Sequence, residues 1–579
     1  MKNFLNRISF FLIGLVLLGS CDNYEDEILG LKPTDRFSEA DVWTSGKSAN
    51  EFLNQCYAGM GSLSINGLGN AENLPAGLTD MGVIRGNQGN WNFQSGSIVP
   101  TSTGTANIWE GSYVTIRNTN LFLENIDRVP DITQQEKSLM TAQARFIRAY
   151  RYMFLVNYYS WWEGPKNGVP LLTKSYSPGE DVIVDRAGYD EVVNFIISEL
   201  DEIEDVLPLS WPDAEWGKIT KGACLAMKSR MLLYKASKRY NPGHDTQEWV
   251  AASDAAKAVI DMSMYELIQI DNTKPPIESY KEYADIFLHP NNEMILSQPT
   301  YMAPGFMYGK FEIRNAPNGY GGEGACGPTL EIVNKYQNED GEDILDASGN
   351  PINGYDPQNP FVNRETRFYA TIVYNGRDFR GRQVETFMPD PINPSDMVIP
   401  GKDSRHPTAI RYRQTSETGF WLYKFMNESI AFDQPSNTPV ILFRHAEAFL
   451  NYAEAQFELG NEDVARANIN IIRNRVGLPD LDTSLTGTAL RDAIRHERTI
   501  ELAFEQNHRF CDERRWEILP ETFVTLWRLE AFKDNNGNIR YVGDQTMALP
   551  RVFSEKMYSF PIPDREIQRA PHLNQNPGY

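Results

Sequence analysis

The chain has 579 residues, 77 acidic against 55 basic, for a formal charge of −22; 41% are hydrophobic and 12% aromatic. That apolar content is more than a disordered chain carries, and the length suffices for a large buried core. The charge disfavours nucleic acid as a partner and disfavours direct adhesion to anionic lipid.

Lys2 and Arg7 open a basic start, Ile8 to Leu18 is apolar, and Leu18-Gly19-Ser20-Cys21 follows. This is the plan of a secretion signal, and it is shorter than the ~20 apolar residues that span a bilayer. A cysteine directly after Leu-Gly-Ser resembles a bacterial lipoprotein cleavage box, so residues 1–20 read as signal peptide and Cys21 as the acylated first residue. Several acyl chains hold a protein firmly to a membrane where one is marginal. Asp22, Glu25, Asp26 and Glu27 make residues 21–36 an acidic tether. The run also resembles the signal that sends lipoproteins to the outer face of the outer membrane. The four other cysteines, Cys56, Cys224, Cys326 and Cys511, are far apart and lack metal-ligand spacing. Cys56 shares a helical stripe with Ala49, Phe52, Leu53 and Met60 and reads as a buried apolar group, with no essential disulfide expected.

Residues 37–270 read as helical. Trp109, Tyr113, Ile116 and Leu123 recur on one face, and Leu139–Tyr159 is a long apolar-aromatic helix. Tyr189–Leu207, Ile219–Tyr240 and Trp249–Met262 follow, with Asn241-Pro242-Gly243 as a breaker. Residues 271–437 are rich in Pro, Gly, Asn and Asp, and read as long loops with short β-like runs at Phe368–Tyr374 and Phe420–Phe425. Residues 438–579 return to helix. Ile441, Leu442, Ala446, Phe449, Leu450, Ala453 and Phe457 form one stripe; Gly460 ends it; Asn461 caps a second helix faced by Val464, Ala465, Ile469, Ile472 and Val476. A third helix is expected over Leu490–Gln506, and Asp534-Asn535-Asn536-Gly537 reads as a hairpin turn. The expected fold is mostly α. It is a tetratricopeptide-like scaffold of helical hairpins, with long irregular loops and a few short strands, in one domain over 37–579.

Particular residues then point to a family. They include Asp41-Val42-Trp43 and Cys56-Tyr57 near the start, Trp109 to Ile126, and Ala144-Arg145-Phe146-Ile147-Arg148-Ala149 with Tyr152. Further on are Arg444-His445-Ala446-Glu447, Tyr452 to Ala455, Asn470 to Leu478, and Glu497-Arg498 to Glu501-Leu502. The end of the chain adds Arg509-Phe510, Asp512 to Trp516, Pro561-Ile562-Pro563 and Gln575-Asn576-Pro577-Gly578-Tyr579. Over essentially the whole mature length the chain resembles the SusD/RagB family of outer-membrane glycan-binding lipoproteins. One departure, Glu505-Gln506-Asn507-His508-Arg509 where the family often has Glu-Gly before Arg, leaves the local helix end open.

The resemblance implies a non-catalytic, cell-surface, lipid-anchored protein of polysaccharide utilisation. It would capture oligosaccharide and pass it to a SusC-like, TonB-dependent outer-membrane barrel. It also implies ligand contacts in loops from two regions. Thr79–Phe93 offers Asp80, Arg85, Asn87, Gln88, Asn90, Trp91 and Asn92; Tyr301–Tyr320 offers Tyr301, Phe306, Tyr308, Arg314, Asn318 and Tyr320. The chemistry fits: a flat ring covers the C–H face of a sugar while amides, carboxylates and guanidinium groups bond its hydroxyls. Trp91 is the leading candidate and Tyr320 the next. Trp161-Trp162, Trp211 and Trp216 flank helices and read as packing residues. Arg473, Arg475, Glu497, Glu501, Asp512, Arg514 and Arg515 fall on neighbouring predicted helices and read as structural pairs.

No catalytic centre is legible. The seven histidines form no zinc motif, His496-Glu497 lacks the second histidine of such a motif, and no Gly-x-Ser-x-Gly elbow occurs. No cofactor or metal is expected. The alternatives are a peptide-capturing member of the same family, a surface glycosidase built on two carboxylates about 5 to 9 Å apart, and a purely structural partner of the barrel.

Overall fold

The computed structural model describes residues 42–61, 75–85, 92–102, 107–177, 179–298, 311–392, 397–432, 434, 438–544 and 551–579. Cys21 and the predicted signal and tether lie outside them.

Helices pack on one another in near-sequential order. Gly46–Gly61 lies against Trp109–Asn125 and Gln134–Tyr159, which are followed by Tyr189–Asp201, Lys221–Ala236 and Thr246–Ile260. Thr246–Ile260 then packs on His445–Glu458, which carries Glu462–Asn474 and Gly487–Glu501. The helical stack is therefore continuous in space, although residues 261–444 intervene in sequence. Each half buries an apolar stripe that the next layer covers, as in stacked helical repeats.

Local chemistry sets the helix ends. Thr133 accepts from the Glu136 N–H at 3.2 Å while Glu136 accepts from the Thr133 N–H at 2.7 Å, a capping box that opens the 26-residue helix Gln134–Tyr159. At the other end of the chain, Gly460 has φ 81°; its N–H donates to Phe457 O at 2.9 Å and the Asn461 N–H donates to Gln456 O at 2.8 Å. This paired closure requires a left-handed residue and explains the glycine. Asn461 stands at the N-cap position of the next helix, as expected, but its side-chain amide donates to Gln456 Oε1 and its side chain accepts no helix N–H.

Three further expectations are corrected. Val440–Arg444 is a buried strand paired antiparallel with Met294–Gln298, and the helix begins only at His445; a short apolar run fits either element until its neighbour is known. Thr366–Thr371 is a short helix, with only Ile372–Val373 extended against Trp421–Leu422. There the burial of Phe368 and Tyr369 overrides their β preference. The helix expected to reach Gln506 stops at Glu501, because Phe504 and Gln506 take φ of 62° and 44°. The hairpin at Asp534–Gly537 is present, joining Arg528–Lys533 to Ile539–Asp544.

The apolar core has three parts. One belongs to the first helices and the C-terminal tail, one to the loop-rich region, and a smaller one to the helices from 445 to 501. At the junction of loops and helices sits a buried ionic lattice. Arg444 donates to Glu293, Glu501 and Glu505 at 2.9, 2.8 and 2.7 Å; Arg475 donates to Glu293 at 2.7 Å and also to Glu501; Arg473 reaches Glu497 at 3.2 Å. Arg367 and Lys424 join it from the loop side. The predicted pairing among the helical charges is real, except that Arg514 donates to the carbonyls of Phe510 and Met557. Such pairs fix geometry more than they add stability.

Candidate functional site

The first candidate loop region meets the chain just after the second. Gly82–Ile84 pairs antiparallel with Cys326–Pro328, placing Val83 opposite Gly327. The Arg85 N–H donates to Ala325 O at 2.9 Å, and its guanidinium donates to Glu323 O at 3.1 and 2.9 Å across 238 positions of sequence. A third segment, 403–418, closes on the same place. Arg85 also donates to Arg413 O at 3.3 Å. Gly324 has φ 51° and sits where an added Cβ would lie 2.7 Å from Ser416 N. Only glycine fits both the backbone and the contact.

Tyr320 stands at this junction, half-buried. Its hydroxyl donates to Arg382 O at 2.8 Å, its ring meets Phe379 edge-on at 5.0 Å, and the Arg382 guanidinium lies 3.6 Å from its centroid. Arg382 is held in turn by both oxygens of Asp403, at 2.7 and 2.9 Å. The buried Asp403 also accepts the N–H groups of Gly319 and Glu385. The ring is thus fixed before any ligand arrives, which lowers the entropy lost on binding. Burial pushes the Tyr320 phenol well above its usual pKa, so it stays a neutral donor.

The other candidates divide. Asn87, Gln88, Asn90, Trp91, Tyr301, Phe306 and Tyr308 lie outside the described residues. Asn92 is half-buried and donates to Ser102 Oγ at 2.9 Å. Arg314 pairs with Glu323. Asn318 is buried and donates to Ile410 O at 2.8 Å, so it holds the loops together and does not face a ligand. Asp80 is a correction. It is 5% exposed and receives Arg509 at 2.9 and 2.6 Å. Burial alone would raise its pKa, but the Arg509 charge and hydrogen bonds overcome that and hold the carboxyl at about 2. A carboxylate buried and paired in this way is not presented to a sugar hydroxyl. Sequence reasoning missed Arg382, Asp403, Arg411, Tyr412 and Arg413, which lie in irregular chain with no periodic signal.

Trp161 and Trp162 pack on each other at 3.7 Å, with Arg239 over the second ring, and Trp211 donates to Ile219 O at 2.9 Å. These are packing roles, as expected. Cys56, Cys224, Cys326 and Cys511 are buried free thiols, and burial pushes Cys56, Cys326 and Cys511 up to about 12. Among the described residues no group of three or more His, Cys, Asp and Glu is placed to hold a metal ion, and no helix is long and apolar enough to cross a membrane. A separate groove of about 500 Å³ runs between Trp109–Asn125, the 170–184 loop and Glu566–Leu573, and shares no residue with the Tyr320 junction.

A stack of helical hairpins that presents rigid, ring-bearing loops at one junction defines a scaffolded recognition protein. A sequence model of the SusD family matches residues 286–579, and a second, described as starch-binding associating with outer membrane, matches residues 35–233. The chain belongs to the SusD family. A SusD-like protein of Formosa agariphila is 25% identical over 478 residues, covering 80% of this chain and 77% of that one. The crystal structure of a SusD-like protein from Bacteroides fragilis is 28% identical, with a TM-score of 0.74 over 95% of this chain and 100% of that one. A SusD-like carbohydrate binding protein from the same species has a TM-score of 0.70 at 24% identity, over 92% and 100% of the two chains, a likeness of fold.

Proposed function

We propose that this chain is a non-catalytic, lipid-anchored protein of the outer cell surface that captures oligosaccharide and delivers it to a SusC-like, TonB-dependent barrel. One observation carries the reading. Loop segments from three distant parts of the chain converge on residues 318–328, where the Tyr320 ring is immobilised by Arg382 and Asp403. Aromatic platforms with fixed polar neighbours suit the alternating C–H and hydroxyl faces of a sugar. Family membership supports the surface location, and the carbohydrate-binding relative of the same fold supports the ligand class. Cys21 would carry the acyl anchor and the acidic tether would place the domain outside. Single sugars would bind weakly because an open platform buries little area; longer glycans would bind better.

The test is a panel of soluble oligosaccharides and peptides titrated calorimetrically into the mature protein, with product analysis for sugar release. Binding of glycans that tightens with length and is weakened by Tyr320→Ala supports capture. Tight peptide binding without glycan binding, or release of free sugar, would replace it with the peptide-capturing or the glycosidase reading.

A further inference from the structure

The Tyr320 junction is basic on a strongly acidic protein. Residues 402–418 contain Lys402, Arg405, Arg411 and Arg413 against two acids, Asp403 and Glu417, while the whole chain carries −22. Asp403 is spent on Arg382, and Arg405 on Glu530. Arg411 takes φ 52°, donates to Gly321 O, and lies 3.9 Å from Glu323, a carboxylate already paired with Arg314.

Arg85 and Arg413 are different. Among the described residues neither has a carboxylate oxygen within 4.0 Å. Arg85 bonds only to carbonyls, two bonds to Glu323 O and one to Arg413 O, so three of its five N–H groups are used and its charge is not neutralised. Arg413 is exposed and gives one N–H to the Tyr412 hydroxyl at 3.0 Å; its other N–H groups face no acceptor among the described residues. A carbonyl-anchored guanidinium is a rigid fork of the geometry that carboxylates and sulfates accept in pairs. The remaining acidity of the protein does not cancel this. At physiological salt, charges further away than about 8 Å are screened, so a bound ligand responds to the local arginines.

We propose that the saccharide taken at this junction is anionic, with carboxylate or sulfate groups held by Arg85 and Arg413 where their segments meet the chain just after Tyr320. This rests on the reading of the junction as the glycan site. It deepens that reading by naming a charge class of ligand that a ring platform alone would not select.

The test titrates the mature protein with a uronate polymer (polygalacturonate), a sulfated galactan and a neutral β-glucan, each at about 0.1 M and about 1 M NaCl, where the screening length contracts from roughly 10 to 3 Å. The expected result is that one of the two anionic polymers binds about ten-fold or more tighter than the neutral one. That preference should shrink at high salt. Arg413→Gln should remove about ten-fold of the anionic affinity. Its backbone carbonyl still receives Arg85, so the loop contact survives the change. Arg85→Gln should act likewise, and circular dichroism checks that it folds. Whether the uronate or the sulfate responds tells the two anions apart. Neutral glucan bound as tightly as either anion, or anion binding indifferent to salt and to Arg413→Gln, overturns the inference while leaving glycan capture in place. Failure of all three polymers to bind overturns capture itself, and this inference with it.

Discussion

Asp80 receives both arms of the Arg509 guanidinium, at 2.9 and 2.6 Å, across 429 positions of sequence. The same residue donates its N–H to Glu513 at 3.2 Å and accepts the Thr329 hydroxyl on its carbonyl at 2.6 Å. One buried aspartate thus ties the strand Gly82–Ile84, the strand Cys326–Pro328 and the helix His508–Arg515 into one unit. The junction that bears Tyr320 is built outward from it.

Asp80→Ala is therefore expected to destabilise the fold by about 3 kcal/mol, since it breaks the buried bidentate pair and leaves Arg509 only Glu513, at 3.5 Å. Urea unfolding of both proteins measures this. A loss below about 1 kcal/mol would mean that water reaches Arg509, against the burial described above.

Glu331 gives a pH signature. Burial pushes its carboxyl up to about 7, and its Oε1 accepts the Trp527 N–H at 2.8 Å while Oε2 has no partner. A folded pKa above the unfolded value makes the protonated form the stabilising one. That contribution is whole below about pH 4.5 and is lost as pH rises through 7. Glu331→Gln removes the titration. From pH 5 to 8 the variant should gain on wild type by on the order of 3 kcal/mol. Parallel stability curves for the two proteins would contradict the assignment.

Gly324→Ala adds a methyl group at a left-handed position and 2.7 Å from Ser416 N. The expected cost is roughly 1–3 kcal/mol. Because the strain falls between the Tyr320 loop and the 415–418 segment, glycan affinity should drop as well. Thermal unfolding and calorimetric titration read the two effects separately, and normal values for both would show that the loops adapt.

Tyr320→Ala and Trp91→Ala each remove a ring from the proposed platform. Each should weaken glycan binding by about ten-fold, in the range of roughly 0.5–1.5 kcal/mol for a ring contact beyond its buried area. Full affinity in the Trp91 variant would remove that residue from the site without touching the Tyr320 argument.

Cys21→Ala should abolish acylation and move the protein from the membrane fraction to the soluble one, as seen by fractionation and by intact-mass analysis of the N terminus. Membrane retention of the variant would show that something other than a lipid holds it.

Much of the fold was legible beforehand, for identifiable reasons. The helix ending at Tyr159 announces itself through the apolar-aromatic run Leu139–Tyr159, although its start at Gln134 was not read, and Gly460 marks its turn because a left-handed closure admits little else. Paired charges such as Arg475 and Glu501 were readable as structural because predicted helices placed them side by side. Where the sequence reading failed, two local outcomes were nearly equal and a distant partner chose between them. Val440–Arg444 became a strand because Met294–Gln298 supplies its hydrogen bonds.

The candidate site divides along the same line. Sequence by itself determined most of the helical scaffold, since periodicity, capping and turn chemistry are properties of neighbouring residues. Only the tertiary structure decided that Asp80 is locked inside while Tyr320 stands at the junction, and that Arg382, Asp403 and Phe379 hold it there. Burial and charge pairing depend on which remote segment arrives opposite a side chain, and no local pattern encodes that encounter.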